Sequence, residues 1–264
     1  MTEEVLPQYV FAARQRKNET LYRTSPAPYG GTLPKGEGLR LRRETIIYTT
    51  TERENLFMEA IFSLGIGYLI GSLSPAAVLA KIKHVNLKEE GTKNLGATNT
   101  ALVLGRAFGI FVMLFDIMKS FCASRLARWL FPQLAIAGML AGIGAIIGHC
   151  FPLFLHFHGG KGLAAFGGMV LSYKPWFFLA IVVPGVVLMT VLNTGVAVPM
   201  LASVMFPVMV WLYGRSIPDT ICAVIASAII VVMHWSNLKK AIANKDVIST
   251  RNFYKNILFK KKEK

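Results

Sequence analysis

The densest concentration of chemistry-bearing residues in this chain is the stretch Gly148 to Ala164, Gly-His-Cys-Phe-Pro-Leu-Phe-Leu-His-Phe-His-Gly-Gly-Lys-Gly-Leu-Ala. Gly159, Gly160 and Gly162 flank Lys161 there. With no Cβ in the way, consecutive backbone N–H groups can turn inward and form a concave anion site beside the ammonium. A helix starting at Leu163 would add its positive N-terminal end to the same pocket, and a phosphate fits such a place. A tight turn or a close helix contact accounts for the same glycines, because membrane helices use small residues in that way. The Walker spacing is absent, and Leu163 stands where a magnesium-binding hydroxyl would be required.

A second polar stretch runs from Lys81 to Gly105 and contains Glu89-Glu90-Gly91-Thr92-Lys93-Asn94-Leu95-Gly96-Ala97-Thr98-Asn99. Asn, Thr and Gly at this density make either a loop ordered by local side-chain to backbone hydrogen bonds or a polar surface facing a ligand. Asp116 and Lys119 lie three residues apart inside an otherwise apolar run, so they share one helical face and can pair. Ionisable groups within a membrane normally face the protein interior, which leaves a structural pair and a functional site both open.

The elements that carry these residues are apolar. Of 264 residues, 53% are hydrophobic and only 16% charged, well below the quarter usual in soluble domains, and the mean hydropathy is +0.48. Seven apolar segments are expected as helices: Phe57 to Ala80, Phe108 to Leu130, Leu134 to Ile147, Leu163 to Ser172, Trp176 to Leu192, Val196 to Tyr213 and Thr220 to Trp235. The fold class is therefore an all-α polytopic integral membrane protein with about seven transmembrane helices, some short or broken. The Gly71-Ser72-Leu73-Ser74-Pro75 step marks a kink or break in the first. Cys122, Cys150 and Cys222 lie in or beside apolar segments without metal-type spacing, so they read as small core residues, and no metal or cofactor is implied.

The net charge of +15 would suggest nucleic acid in a soluble protein, but no interleaved aromatic and basic signature accompanies it, and nucleic acid is not an expected partner. With seven spans, the Lys81 loop together with Arg106, the Lys161 loop, the Asn193 turn and the tail fall on one face with fifteen Lys and Arg residues. The opposite short loops hold Arg125, Arg128, Lys174 and Arg215. The positive-inside rule then places the polar motifs in the cytoplasm and the protein in the cell membrane, among its lipids, with no obligate protein partner evident. Residues 1–56 are polar, rich in Pro and Gly, and expected to be a disordered extension; 57–240 form the membrane domain; 241–264 form a basic cytoplasmic tail. Met58 directly precedes the first apolar segment, so a product starting there is a second reading of the extension.

Four motifs in order resemble the PlsY family of bacterial membrane acyltransferases: Gly71 to Pro75, Gly91 to Asn99, His149 to Gly162, and His234 to Asn237. The resemblance covers about residues 58 to 240. It implies a seven-helix fold with a cytoplasm-facing pocket, neither metal nor nucleotide, and transfer of a fatty acyl group from acyl phosphate to glycerol 3-phosphate, giving lysophosphatidic acid and phosphate. On that expectation Lys161, His234 and Asn237 are the catalytic residues. Thr92, Asn94, Gly96, Thr98, Asn99, His149, Gly159, Gly160 and Gly162 are the phosphate- and substrate-binding ones. Lys161 and the glycine amides would hold phosphate and developing charge. His234 and Asn237, three apart on a helix, would orient the glycerol hydroxyl or phosphate. His149 reads as a supporting hydrogen-bonder or a satisfied structural histidine.

The chain departs from the family pattern at Thr92, Lys93, Leu102, His158 and Ala197. Leu102 replaces an Arg, which removes a charge-assisted contact of roughly 1.5 to 3 kcal/mol from an anion site. Two alternatives follow: a related enzyme using another acceptor, and a non-catalytic membrane protein that binds phosphate or lipid. A transporter fits less well, because no internal repeat is visible.

Overall fold

In the computed structural model the described residues are 37–243, with side chains from residue 50 onward. Residues 1–36 of the expected extension and 244–264 of the expected tail lie outside the described residues. The chain divides into two compact units, Met1–Arg53 and Glu54–Lys264, and the second holds all four motifs.

Every regular element among the described residues is a helix, and none is a strand. Helix α1 (Glu37–Gly71) begins well before Phe57, since no Gly or Pro interrupts the sequence between Gly38 and Gly65. It stops at the expected place. Pro75 forces the preceding residue out of the helical region, and Ser74 adopts an extended ψ of 100°. Ser74 then caps α2 (Pro75–Ile82) by accepting the Ala77 N–H at 3.3 Å. The stretch expected as a loop up to Gly105 contains a short helix, α3 (Ala97–Val103), because Ala97-Thr98-Asn99-Thr100-Ala101-Leu102-Val103 holds neither Gly nor Pro. Leu87 and Leu95, almost wholly buried, pin the intervening loop against Ala76, Ala80 and Val112.

The remaining helices match the apolar segments closely: α4 (Arg106–Leu130), α5 (Ala137–Cys150), α6 (Leu163–Tyr173), α7 (Pro175–Val191), α8 (Ala197–Gly214) and α9 (Ile217–Ile242). Helix α9 continues past Trp235 to Ile242, which carries Asn237 onto the helix. Five stretches are long and apolar enough to cross a bilayer: Thr50–Ile82, Arg106–Leu130, Ala137–Leu155, Ala197–Gly214 and Ile217–Ile242. Helices α6 and α7 are apolar but shorter. Large apolar side chains such as Trp129, Val183, Val204 and Val232 are exposed along these helices, as a lipid-facing surface requires.

Helices α5, α6, α7, α8 and α9 share one core, in which the Phe166 and Phe206 rings meet edge to face at 5.4 Å and Phe177 is fully buried. Helix α1 joins through small residues. A Cβ at Gly67 or Gly71 would overlap the carbonyl oxygens of Ala141 or Ala145, and one at Gly144 or Gly148 those of Leu64 or Tyr68. The Gly-x-x-x-Gly pairs of α1 and α5 thus interlock, backbone against backbone.

This contact is testable. Gly144→Leu should lower the thermal midpoint of the detergent-solubilised protein, a cost of about 1–3 kcal/mol for overpacking. Gly65 has open space around its Cβ position, so Gly65→Ala should leave the midpoint within about 0.5 kcal/mol of wild type.

Candidate active site

Lys161 lies in the loop between α5 and α6. Gly162 follows it with φ at +82°, a conformation that side chains rarely adopt, and this turn lets α6 start beside the lysine. The half-buried Lys161 Nζ donates to Asn237 Oδ1 at 2.6 Å, which joins the glycine loop to α9. One turn earlier on the same face, His234 is 6% exposed, and its Nδ1 lies 3.0 Å from the Ile230 carbonyl oxygen. A ring nitrogen facing a carbonyl carries the proton, so the neutral imidazole presents an unprotonated Nε2. The three residues expected to be catalytic are therefore brought together: an ammonium suited to phosphate with the amide that holds it, and an imidazole nitrogen suited to accept from a hydroxyl.

The glycine amides are arranged differently from the expectation. Gly159 N–H donates to the Cys150 carbonyl and Gly160 N–H to the His149 carbonyl, each at 3.1 Å. Both close the last turn of α5, whose terminal carbonyls need donors from outside the helix. Those two amides do not face an anion. What remains for one is the Lys161 ammonium and the first turn of α6, beginning at Gly162, where N–H groups have no helical partner.

The Asn-rich loop is ordered from within. Asn99 is fully buried; its Oδ1 accepts from Thr92 N at 2.6 Å, and its Nδ2 donates to the Leu87 and Asn94 carbonyls at 2.8 Å each. Asn94 Nδ2 donates to Thr92 Oγ1 at 2.9 Å, and Asn94 Oδ1 accepts from Gly96 N at 3.0 Å. Of the two readings of this loop, local ordering describes Asn94 and Asn99, while Thr98 is exposed. The loop meets the glycine loop directly, Leu95 N–H donating to the Gly159 carbonyl at 3.3 Å.

His149 is 7% exposed, with Nδ1 at 3.2 Å from Lys119 Nζ and 3.3 Å from Asp116 Oδ1. The other side of the ring lies against Gly160, where a Cβ would overlap Nε2. Four further contacts are not readable from the sequence. Buried Ser72 donates to the Tyr68 carbonyl at 2.8 Å and accepts from Leu153 N at 3.4 Å; Tyr68 Oη donates to the Phe151 carbonyl at 3.0 Å; Lys88 Nζ donates to the Leu155 carbonyl at 3.3 Å. Ser72 stands inside the Gly71 to Pro75 step, but nothing in its spacing names Leu153 as its partner. His156 and Phe157 both have positive φ, 55° and 59°, and His158 N–H donates to the Leu155 carbonyl at 3.3 Å. Together they make a tight turn in which both side chains are exposed.

A helical membrane protein whose polar loops gather around a lysine, an asparagine and a histidine is the class that this fold and site define. Residues 61–244 match the family Glycerol-3-phosphate acyltransferase. Similar proteins include the glycerol-3-phosphate acyltransferases of Coxiella burnetii (strain Dugway 5J108-111), 32% identical over 69% of this chain and 94% of the relative, and of Macrococcus caseolyticus, 34% identical over 70% and 95%. Among solved structures, the glycerol 3-phosphate form of PlsY, an integral membrane glycerol 3-phosphate acyltransferase, superposes with a TM-score of 0.66 at 26% identity, over 71% of this chain and 94% of that one. Its lysophosphatidic acid form gives a TM-score of 0.65. The chain belongs to the glycerol-3-phosphate acyltransferase family.

Gly162→Ala tests the turn at the head of α6. Forcing a Cβ into the left-handed region costs about 1–2 kcal/mol. Turnover should fall roughly tenfold, while the protein still inserts and elutes as a folded species from size exclusion.

Proposed function

We propose that this protein transfers a fatty acyl group from an acyl phosphate to the hydroxyl of glycerol 3-phosphate at the membrane surface, with Lys161, His234 and Asn237 as the catalytic residues. The observation that carries this reading is the 2.6 Å bond from Lys161 to Asn237 with His234 one turn away, because it unites the motifs that family membership makes meaningful. In the reaction the acceptor oxygen bonds to the acyl carbon, the bond from that carbon to the phosphate oxygen breaks, and the phosphate leaves with its electron pair. Lys161 and the open first turn of α6 neutralise the leaving phosphate. Asn237 holds the ammonium in place. His234 Nε2 accepts a hydrogen bond from the acceptor hydroxyl, and the proton goes either to that nitrogen or to the departing phosphate.

Thr92, Asn94, Gly96, Thr98 and Asn99 form one loop bordering the proposed site, with His149, Gly159, Gly160 and Gly162 shaping the adjoining glycine loop, to which Leu95 N–H is bonded. On the positive-inside argument the pocket faces the cytoplasm from the cell membrane, α6 and α7 complete seven crossings, and residues 1–56 and 241–264 are appendages to the acyltransferase domain. The substitution of Leu102 for an expected Arg motivates the second reading, a related enzyme with a different acceptor.

Phosphate release by the detergent-solubilised protein given palmitoyl phosphate, with and without glycerol 3-phosphate, tests both. Release that requires glycerol 3-phosphate, and that drops on the order of a hundredfold or more in Lys161→Ala and Asn237→Ala, is expected. Release stimulated by another polyol phosphate but not by glycerol 3-phosphate selects the second reading. Ligand-induced thermal stabilisation without any release would show a binding protein instead. For the proton, a pH–rate profile that keeps its shape in His234→Ala assigns the phosphate as acceptor, and one that loses its acidic limb assigns the histidine.

A further inference from the structure

The most costly feature of the fold lies outside the three residues just assigned. Asp116 and Lys119 are 1% and 5% exposed in the middle of α4, paired at 2.7 Å. Burying two opposite charges costs several kcal/mol per ion, and an apolar pair of similar volume packs as well or better. Stability alone therefore does not account for them. Their other partners do.

The Lys119 ammonium has three N–H donors and three neighbours. It forms an ion pair with Asp116 Oδ1, donates to the Leu73 carbonyl at 2.7 Å and lies 3.2 Å from His149 Nδ1, which is also 3.3 Å from Asp116 Oδ1. The Leu73 carbonyl is open to it for a reason visible in the sequence. Ala77 N–H, the donor that a continuous helix would aim at that oxygen, is taken by the Ser74 side chain as the cap of α2. Leu73 adjoins Ser72, whose hydroxyl accepts from Leu153 N in the glycine loop. On the other side, His149 presses its ring on Gly160, and its carbonyl takes the Gly160 N–H. Gly160 immediately precedes Lys161. One ammonium on α4 thus touches both the helix break and the base of the catalytic loop.

We infer that Lys119 is a positioning residue for acyl transfer: it holds the Leu73 carbonyl and the His149 ring at a fixed separation and so places the Lys161 loop against the Ser72 break, with Asp116 as its counter-charge. This rests on the reaction proposed above, but it is read in two ways, one of which needs no turnover. Lys119 does not touch substrate, so its loss acts on kcat more than on KM.

The comparison is Asp116→Asn against the double variant Asp116→Asn/Lys119→Met. The amide oxygen that Asp116→Asn introduces still accepts from the ammonium, so the single variant should keep its kcat within a few-fold of wild type. The single variant leaves the ammonium without its counter-charge while the double variant leaves no buried charge, so the thermal midpoint of the double should be at least that of the single. Its kcat should nevertheless fall on the order of tenfold to a hundredfold, the penalty of a small misplacement at a reacting centre, with KM for glycerol 3-phosphate little changed. Hydrogen exchange should quicken in the segments 72–77 and 149–162 and stay as it was elsewhere. Equal kcat and equal exchange in the two variants would overturn the inference. If the double variant does not accumulate, Asp116→Asn/Lys119→Gln, whose shorter amide cannot span the three partners, replaces it, and unchanged exchange there overturns the inference as firmly. Wild-type protein without turnover sinks the proposed reaction, while the exchange comparison still decides the role of Lys119.

Discussion

The closeness of α1 to α5 is the constraint from which the rest of the structure follows. In lipid, no hydrophobic gain drives one apolar helix onto another, so association relies on packing and hydrogen bonds. Gly67 and Gly71 on α1 meet Ala141 and Ala145, while Gly144 and Gly148 on α5 receive the carbonyls of Leu64 and Tyr68. The two backbones therefore approach within direct contact. That approach brings the broken end of α1 to the end of α5, where Ser72 can reach Leu153 and Tyr68 can reach Phe151. A wider spacing would break the bonds from Leu153 N to Ser72 and from Tyr68 to Phe151, each worth roughly 0.5–1.5 kcal/mol.

The same demand for satisfaction shapes the loops. At the end of α5 the carbonyls of His149 and Cys150 take the amides of Gly160 and Gly159, and in the Asn-rich loop the Asn99 side chain ties together Leu87, Thr92 and Asn94. A loop folded back into the protein must find internal partners for its backbone, and side-chain amides supply both donor and acceptor within one short group. In the proposed reaction, a loop tied in this way would need little ordering when a substrate arrives, which favours rate as much as affinity.

Much of the fold is legible in the sequence because the physical signal is local. Apolar runs interrupted by Lys174-Pro175, Asn193-Thr194-Gly195 and Ser216-Ile217-Pro218 place the boundaries of α6 to α9 to within a few residues, and the Pro75 step marks the break in α1. The end of α9 is less legible, since Ser236 to Ile242 is polar on one side and stays helical beyond the apolar core. The site is legible in its parts and not in its assembly. Asp116 and Lys119 announce their pairing by spacing, yet neither Leu73 nor His149 can be read as the further partner, being 46 and 30 residues from Lys119. Lys161 and Asn237 are 76 residues apart, and at the level of sequence only the family resemblance joins them. The direction of the Gly159 and Gly160 amides is beyond the sequence because a glycine-rich run permits an anion nest and a helix-closing turn equally, and the choice is made by the carbonyls that α5 leaves open.

That choice bears on how a reaction between two phosphorylated substrates is accommodated. The proposed transfer brings a leaving phosphate and an acceptor phosphate into one pocket, and a single ammonium cannot neutralise both. With the Gly159 and Gly160 amides occupied, the proposed reaction would use Lys161 and the first turn of α6 as one anion site. The second would fall to the cations of the Asn-rich side. Among these, Lys88 is already directed at the Leu155 carbonyl, Lys93 is exposed at a left-handed turn position, and Arg106 is exposed at the head of α4. Leu102, where the family pattern has an Arg, removes the charge that would have been carried by α3 itself. In the proposed reaction, recognition of the acceptor phosphate would pass from a helix-borne guanidinium to residues at loop and helix ends. Exposed cations are more hydrated and more screened, so in the proposed reaction the acceptor's phosphate would contribute less to binding, and Lys161, Asn237 and His234 would carry a correspondingly larger share of the discrimination between acceptors.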